Sequence, residues 1–200
     1  MPLIEGKKIV LRDWRIDDLE RFAFWLDPGQ RWHALDGPFY PKLPRDHIPE
    51  MIARRREAIA GGEPPDPRTG LVIADREADT LLGQVTWYWE SAETHWLSVG
   101  IGIYDPELWG GGRGYEALGL WGEYLLEAMP QLARLDLRTW SGNIGMMRLA
   151  EKLGFREEAR FRKARVVDGV HYDGMGYGVL REEWRERYPD GFAAHLRELR

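Results

Sequence analysis

The residues Trp109-Gly110-Gly111-Gly112-Arg113-Gly114 stand between a β-like and a helix-like segment, and a glycine run in that position can hold a phosphate. Glycine has no Cβ, so its backbone reaches conformations closed to other residues and comes close to a ligand with its amides free. A helix that starts inside such a loop adds unpaired N–H groups and the positive end of its dipole, which favour a pyrophosphate. The alternative is an ordinary glycine-rich turn. Other groups able to do chemistry are scattered: His95, Glu90, His33 and Asp36 could each take a proton, and Asn143 leads a helix-like segment. An aromatic connection, Trp32 to Tyr40, and the segment Thr86-Trp87-Tyr88-Trp89 could shape a pocket or fill a core.

Composition narrows the chemistry. The 200 residues, 44% hydrophobic, suffice for one buried core, so a single domain over 1–200 is expected. A net charge of −5 with no long Lys/Arg run argues against a nucleic-acid footprint. Absence of cysteine removes disulfides, thiolate metal sites and a cysteine nucleophile. No metal is expected. The opening Met1-Pro2-Leu3-Ile4-Glu5-Gly6-Lys7-Lys8 lacks a basic-then-apolar leader pattern and no apolar stretch is long enough for a bilayer, so no membrane partner and a cytoplasmic location are expected.

The elements that must position these groups follow from periodicity. Ile4 to Trp14 reads as a strand and Asp17 to Leu26 as a helix, with Leu19, Phe22 and Leu26 on one side. A second helix spans about Arg45 to Ala60, with Arg54, Arg55 and Arg56 on its outer face. Gly61 to Pro67 is a loop, and Leu71 to Asp75, Leu82 to Trp89 and Trp96 to Tyr104 are strands. If Trp87 and Trp89 share a sheet face they bury against a helix; the competing use is a cation-binding surface. Beyond the glycines, Glu116 to Met129 is a helix stopped by Pro130, and Leu135, Leu137 and Thr139 mark a strand. Asn143 to Leu153 is a helix ended by Gly154 as a left-handed cap. Arg160 to Val167 and His171 to Leu180 form a hairpin about Asp168-Gly169, and Glu182 to Tyr188 is a helix before a charged tail.

The spacing Gly112-x-Gly114-x-x-Ala117 formally matches a dinucleotide fingerprint, which would make the chain a nucleotide-dependent oxidoreductase. Pro106 and Trp109 separate the strand from Gly112, where that fold needs a tight turn, and Asp136 at the acidic position sits inside a strand. A P-loop is ruled out because no Gly-Lys-Ser/Thr follows the glycines.

Two longer segments carry a resemblance. Ile103-Tyr104-Asp105-Pro106-Glu107-Leu108-Trp109-Gly110-Gly111-Gly112-Arg113-Gly114-Tyr115-Glu116-Ala117, and Asn143-Ile144-Gly145-Met146-Met147-Arg148-Leu149-Ala150-Glu151-Lys152-Leu153-Gly154-Phe155, are similar to the glycine loop and the Asn-led helix of the GNAT superfamily of acetyl-CoA-dependent N-acetyltransferases. The chain resembles the RimJ/RimL-like branch, whose closing hairpin and tail are also similar to Phe161 through Trp184. The resemblance implies an α/β (α+β) domain with a mixed, mostly antiparallel sheet, splayed central strands and flanking helices. It implies acetyl-CoA as co-substrate, with Ile103 and Tyr104 along the pantetheine arm and the amides of Gly110, Gly111, Gly112, Arg113, Gly114 and Tyr115 at the pyrophosphate. Asn143 would reach the pantetheine or the thioester end, unless it only caps its own helix. Arg113 either pairs with a CoA phosphate or is solvated.

The chemistry implied is attack of a neutral amine on a thioester, aided by donors to the oxyanion and a proton acceptor. Direct transfer is expected because no cysteine can carry an acyl group. Three positions depart from the family pattern: Ala150 stands where many members have a tyrosine, Met146 where some have a serine, and Ser98 where a glutamate is common. No catalytic side chain follows from the resemblance, leaving water, His95, Glu90, His33 or Asp36 as proton acceptors. The expected acceptor is a primary amine, either a small molecule (a polyamine or an aminoglycoside) or a protein N-terminus. The alternative is a catalytically weak acyl-CoA-binding module, and a homodimer is compatible with the branch.

Overall fold

The computed structural model describes residues 4–199; Met1 to Leu3, where the leader reading begins, and Arg200 lie outside the described residues. Among the described residues eight strands form, apolar runs in the centre and a largely charged β7 at the edge: β1 (Ile4–Glu5), β2 (Ile9–Arg12), β3 (Gly70–Asp75), β4 (Leu81–Ser91), β5 (Trp96–Ile103), β6 (Arg134–Trp140), β7 (Arg156–Val167) and β8 (Val170–Leu180). They make one sheet in the order β1-β2-β3-β4-β5-β6-β8-β7. Every neighbouring pair is antiparallel except β5 with β6. The helices are α1 (Asp18–Leu26), α2 (Ile48–Ala60), α3 (Arg113–Ala128), α4 (Ile144–Leu153), α5 (Arg181–Arg187) and α6 (Phe192–Glu198). This is the expected mixed, mostly antiparallel sheet, and it excludes the all-parallel doubly wound sheet that the dinucleotide reading needed.

One pairing creates the site. β4 and β5 pair along their length, from Gly83 opposite Ile103 to Ser91 opposite Trp96. The parallel neighbours β5 and β6 share only the register Ser98 to Asp136. Toward Ile103 and Trp140 the two strands are therefore unpaired with each other, leaving amides and carbonyls of β5 free to meet a ligand.

Alternation along β5 separates two cores. Leu97, Val99, Ile101 and Ile103 face the large core built around α3, where Trp121, Leu118 and Leu125 are fully buried. On the opposite face Phe22, Trp25, Trp32 and Tyr104 form a second, aromatic cluster with α1. Trp87 and Trp89 are partly buried against the α3 core, 4.9 Å apart edge to face, so the packing use of these indoles is the one realised. The Arg12 guanidinium, 2% exposed, holds Asp18 at the start of α1 through two bonds of 2.7 and 2.8 Å and also bonds Asp79.

Several expectations are corrected. The single strand from Ile4 to Trp14 is broken at Gly6 to Lys8 by a turn, in which the Gly6 amide bonds the Ile9 carbonyl. Arg54 and Arg56 are exposed, but Arg55 is half-buried with its guanidinium 4.6 Å from the Trp14 ring. The charged tail contains α6, anchored by Phe192, which is wholly buried. Its ring packs so close to Gly119 of α3 that a Cβ there would lie 2.0 Å from it. Gly154 (φ 96°) and the pair Asp168 (φ 49°) and Gly169 (φ 76°) adopt the left-handed conformations expected of a helix cap and a two-residue hairpin turn.

Candidate active site

A groove of about 430 Å³ opens where β5 and β6 part, between the last residues of β5 and the inward face of α4. Its glycine end is shaped by backbone conformation. Gly110 (φ 76°) and Gly112 (φ 86°) are left-handed, and Gly112 caps α3. Among the described residues the amides of Gly110 through Tyr115 donate to no protein acceptor; the first bond of the turn runs from Glu116 N to the Gly112 carbonyl. A run of free N–H groups at the positive end of a 16-residue helix is an anion cradle.

That cradle is braced from outside. The Lys8 ammonium donates to the Gly111 carbonyl at 2.7 Å, and the Lys8 amide donates to the buried Glu116 carboxylate at 2.8 Å. The Tyr115 ring lines the groove, its hydroxyl 3.0 Å from His195 Nε2 on α6, with the Lys152 ammonium 4.4 Å from its centroid. Burial keeps the Tyr115 phenol protonated well above the ordinary tyrosine range, with Tyr188 adding to the shift. Neither Lys8 nor His195 stands out in the sequence: the first reaches the loop through a tight turn, the second from a tail that reads as merely charged.

The middle of the groove is apolar, with Ile101 and Ile103 of β5 facing Met146 and Leu149 of α4. Asn143 does two things at once: its Oδ1 accepts from Met146 N at 3.0 Å as the cap of α4, and its Nδ2 donates to the Leu35 carbonyl at 3.2 Å. Trp140 Nε1 donates to the same carbonyl at 3.2 Å. The loop carrying Leu35 and Asp36 is thereby pinned across the far end, beside Trp32.

The expected cofactor residues divide accordingly. Ile103, Gly110, Gly112, Gly114, Tyr115 and Asn143 line the groove, and Gly111 contributes to the loop behind it. Tyr104 does not line it: alternation turns its side chain to the other face, where it is 1% exposed among Trp25, Trp32 and Phe22. The Arg113 guanidinium is turned toward Asp75, 3.9 Å away, so its contribution at the loop is its amide.

The proton-acceptor candidates also separate. His95 occupies the β4–β5 hairpin turn, on the order of 20 Å or more along β5 from Ile103. Glu90 lies on the face opposite α3, accepting from Ser98 Oγ at 2.6 Å and Arg138 Nε at 3.2 Å. Burial would raise its carboxyl, but those two donors outweigh it and hold it below the ordinary glutamate range. His33 is buried against Trp32, ring centroids 4.0 Å apart, and burial pushes its pKa down. Of the four, Asp36 alone lines the groove. Its carboxyl keeps contact with solvent, yet the apolar surroundings raise its pKa above the ordinary aspartate range, against the opposing effect of His33. Ala150 is fully buried, and Met146 occupies the groove wall.

An acetyltransferase (GNAT) domain model matches residues 8–156. The chain belongs to the GNAT acetyltransferase family. Over 179 residues it is 39% identical to the SPbeta prophage-derived uncharacterized N-acetyltransferase YokL of Bacillus subtilis, covering 90% of this chain and 93% of that protein. The fold is shared with a GNAT-family acetyltransferase from Bacillus anthracis (TM-score 0.70, 17% identity, 90% and 98% of the two chains). It is shared as well with the spermidine/spermine N-acetyltransferase SpeG from Vibrio cholerae (TM-score 0.66, 17% identity, 91% and 99%). The family assignment makes this GNAT chain an acetyltransferase, and β7, β8, α5 and α6 extend largely beyond the matched domain. Among the described residues no cluster of His, Asp or Glu suits a metal ion, and no helix is long and apolar enough to cross a membrane.

Proposed function

We propose that this chain transfers an acetyl group from acetyl-CoA directly to a primary amine. The observation that carries the reading is the polarity of one continuous groove. At one end are the free amides of Gly110 to Tyr115 with Arg148 and Lys152 on the neighbouring helix; at the other is the Asp36 carboxylate. α4 separates these ends by about 14 Å from Asn143 to Lys152. A pyrophosphate suits the first end and is repelled from the second, whereas an ammonium suits the second. The apolar walls between them, Ile101, Ile103, Met146 and Leu149, match an uncharged pantetheine arm, and the unpaired edge of β5 offers it backbone partners.

Acetyl-CoA supplies a thioester whose carbonyl carbon accepts the amine nitrogen. The chain's own part is to hold the phosphates on the α3 amides, to shield the reacting atoms between β5 and α4, and to present the acceptor from the Asp36 end. Calorimetry with acetyl-CoA, with NAD as the comparison, tests the reading. Micromolar affinity for acetyl-CoA and none for NAD is expected; failure to bind acetyl-CoA would overturn it.

A further inference from the structure

The usual family position for a carboxylate base, Ser98, points away from the groove. Its hydroxyl is spent on Glu90 across the β4–β5 pair, and Glu90 is in turn held by Arg138. Among the described residues the groove is therefore left with one carboxylate, Asp36, supplied not by the sheet but by the loop between α1 and α2. Asp36 has no hydrogen-bond or ion-pair partner among the described residues, although its loop is fastened through Leu35 to both Trp140 and Asn143. An unpartnered acid beside an indole, at the end of the groove remote from the phosphate cradle, has the position and chemistry of a group that meets a cationic amine.

We infer that Asp36 is the catalytic base, binding the acceptor's ammonium and taking the nitrogen's proton, and that the acceptor is a small primary amine with a single positive charge on an apolar body. This rests on the acetyl-transfer reading above. The balance is simple. The bound ammonium first gives one proton through Asp36 to water; the neutral nitrogen then forms the C–N bond as the C–S bond breaks, its second proton passes to the Asp36 carboxylate and on to water, and the thiolate takes a proton from water, so ammonium and thioester become amide, thiol and one solvent proton. The single charge follows from the inventory of the walls. Among the described residues no second carboxylate lines the groove, Glu90 is occupied by Arg138, and the other charged lining groups, Arg148 and Lys152, are cations. A polyamine would bring further ammonium groups with no partner. The apolar body follows from Trp32 and Leu35, which flank Asp36. A peptide N-terminus would bring polar backbone amides against this apolar flank, which favours a small amine.

The test uses the full chain with phenethylamine, tryptamine and hexylamine, with spermidine and a peptide bearing a free N-terminus as contrasts. Because the chain has no cysteine, thiol release is read without protein background. At least one monoamine is expected to be acetylated with a kcat/KM tenfold or more above spermidine and the peptide. Asp36→Asn should lower that value about a hundredfold or more, with partial rescue by Asp36→Glu. A readout independent of turnover is amine binding to the CoA-loaded protein, which Asp36→Asn should weaken about ten- to hundredfold. The affinity for acetyl-CoA itself should stay within twofold.

The pH profile of kcat/KM should show an acidic limb above the ordinary aspartate range, rising with pH as Asp36 ionises, and Asp36→Asn should remove it. The charged or titratable groups facing Asp36 are His33 on its own turn, itself influenced by Lys42, and Tyr104 just past β5, itself influenced by Arg55; the other charged groups of the groove, Arg148 and Lys152, lie toward the phosphate end. A limb that persists in Asp36→Asn belongs to His33 and overturns the assignment. So does unchanged activity in that variant, a preference for spermidine or the peptide, or no acetylation of any monoamine by protein that binds acetyl-CoA. If acetyl-CoA itself fails to bind, it is the acetyl-transfer reading that falls.

Discussion

Gly112→Val isolates the contribution of one backbone conformation to cofactor binding. Gly112 has φ 86° at the cap of α3, and a Cβ built there would meet nothing nearer than the Lys8 ammonium, 3.8 Å away. The side chain therefore fits, and its cost to the fold is the strain of a β-branched residue in left-handed backbone, about 1–3 kcal/mol. For a domain of this size that lowers Tm by about 2–12 °C. Relief of the strain, however, rotates the amides of Arg113 to Tyr115, which have no partner in the protein to hold them. Each charge-assisted bond to a phosphate oxygen is worth about 1.5–3 kcal/mol, so losing two weakens acetyl-CoA by about 10²- to 10⁴-fold. Gly169→Val is the control. Gly169 has φ 76° and nothing within 4 Å of a built Cβ, but sits in the β7–β8 turn, away from the groove. It should show the same melting shift and an unchanged dissociation constant. Calorimetry and thermal melts on the three proteins decide the matter. A Gly112→Val protein that binds within twofold of the parent, or a Gly169→Val protein equally impaired, would refute the assignment of the α3 amides to the pyrophosphate.

Three further outcomes concern what holds the site in place. Asp18→Ala leaves Arg12, 2% exposed, as a buried cation with only Asp79 to balance it, and should cost about 3–5 kcal/mol in urea denaturation. Phe192→Ala empties the contact over Gly119 and the tilted and edge-to-face contacts with Tyr115 and Tyr188, costing about 3–5 kcal/mol by the same measurement; a loss below about 1 kcal/mol would mean that α6 does not belong to the core. Burial raises the Glu123 carboxyl above the ordinary glutamate range, even against the bonds it accepts from the amides of Phe192 and Ala193. The folded chain thus holds this proton more tightly than the unfolded chain. Stability should rise as pH falls through the raised folded value toward about 4.3, and Glu123→Gln should flatten that slope in denaturation midpoints.

How much of this was legible depended on whether the cause was local. Gly154 marks its helix end because left-handed backbone is a property of a single residue, and Asn143 marks a cap because its side chain bonds three residues on; α3 was read as starting at Glu116 rather than Arg113 because the loop residues ahead of it carry no apolar period. β5 could be recognised as a strand, but its alternation was harder to use: Ile103 and Tyr104 are adjacent, so one lines the groove and the other must enter the aromatic core. The tail hid α6 because seven residues are too few to show a helical period, and the helix is held by Phe192 and Leu196, the first of which packs on Gly119, more than seventy positions earlier.

The acceptor end was the least legible because nothing contiguous builds it. Asp36 lies in a loop whose sequence suggests only aromatic punctuation, and it becomes a groove residue because the Leu35 carbonyl is bonded by Trp140 and Asn143, 105 and 108 positions away. The competing acid, Glu90, sits near the end of β4, and the fold brings it beside Ser98 of β5. Its geometry removes it: Arg138 and Ser98 consume its oxygen on the wrong sheet face, and those bonds hold its carboxyl low. Asp36 has neither donor, and its apolar surroundings raise it. A base for an amine needs an accessible lone pair and a pKa nearer the working pH. Between two carboxylates of similar intrinsic acidity, the fold has engaged one and left the other free at the mouth where an amine would arrive.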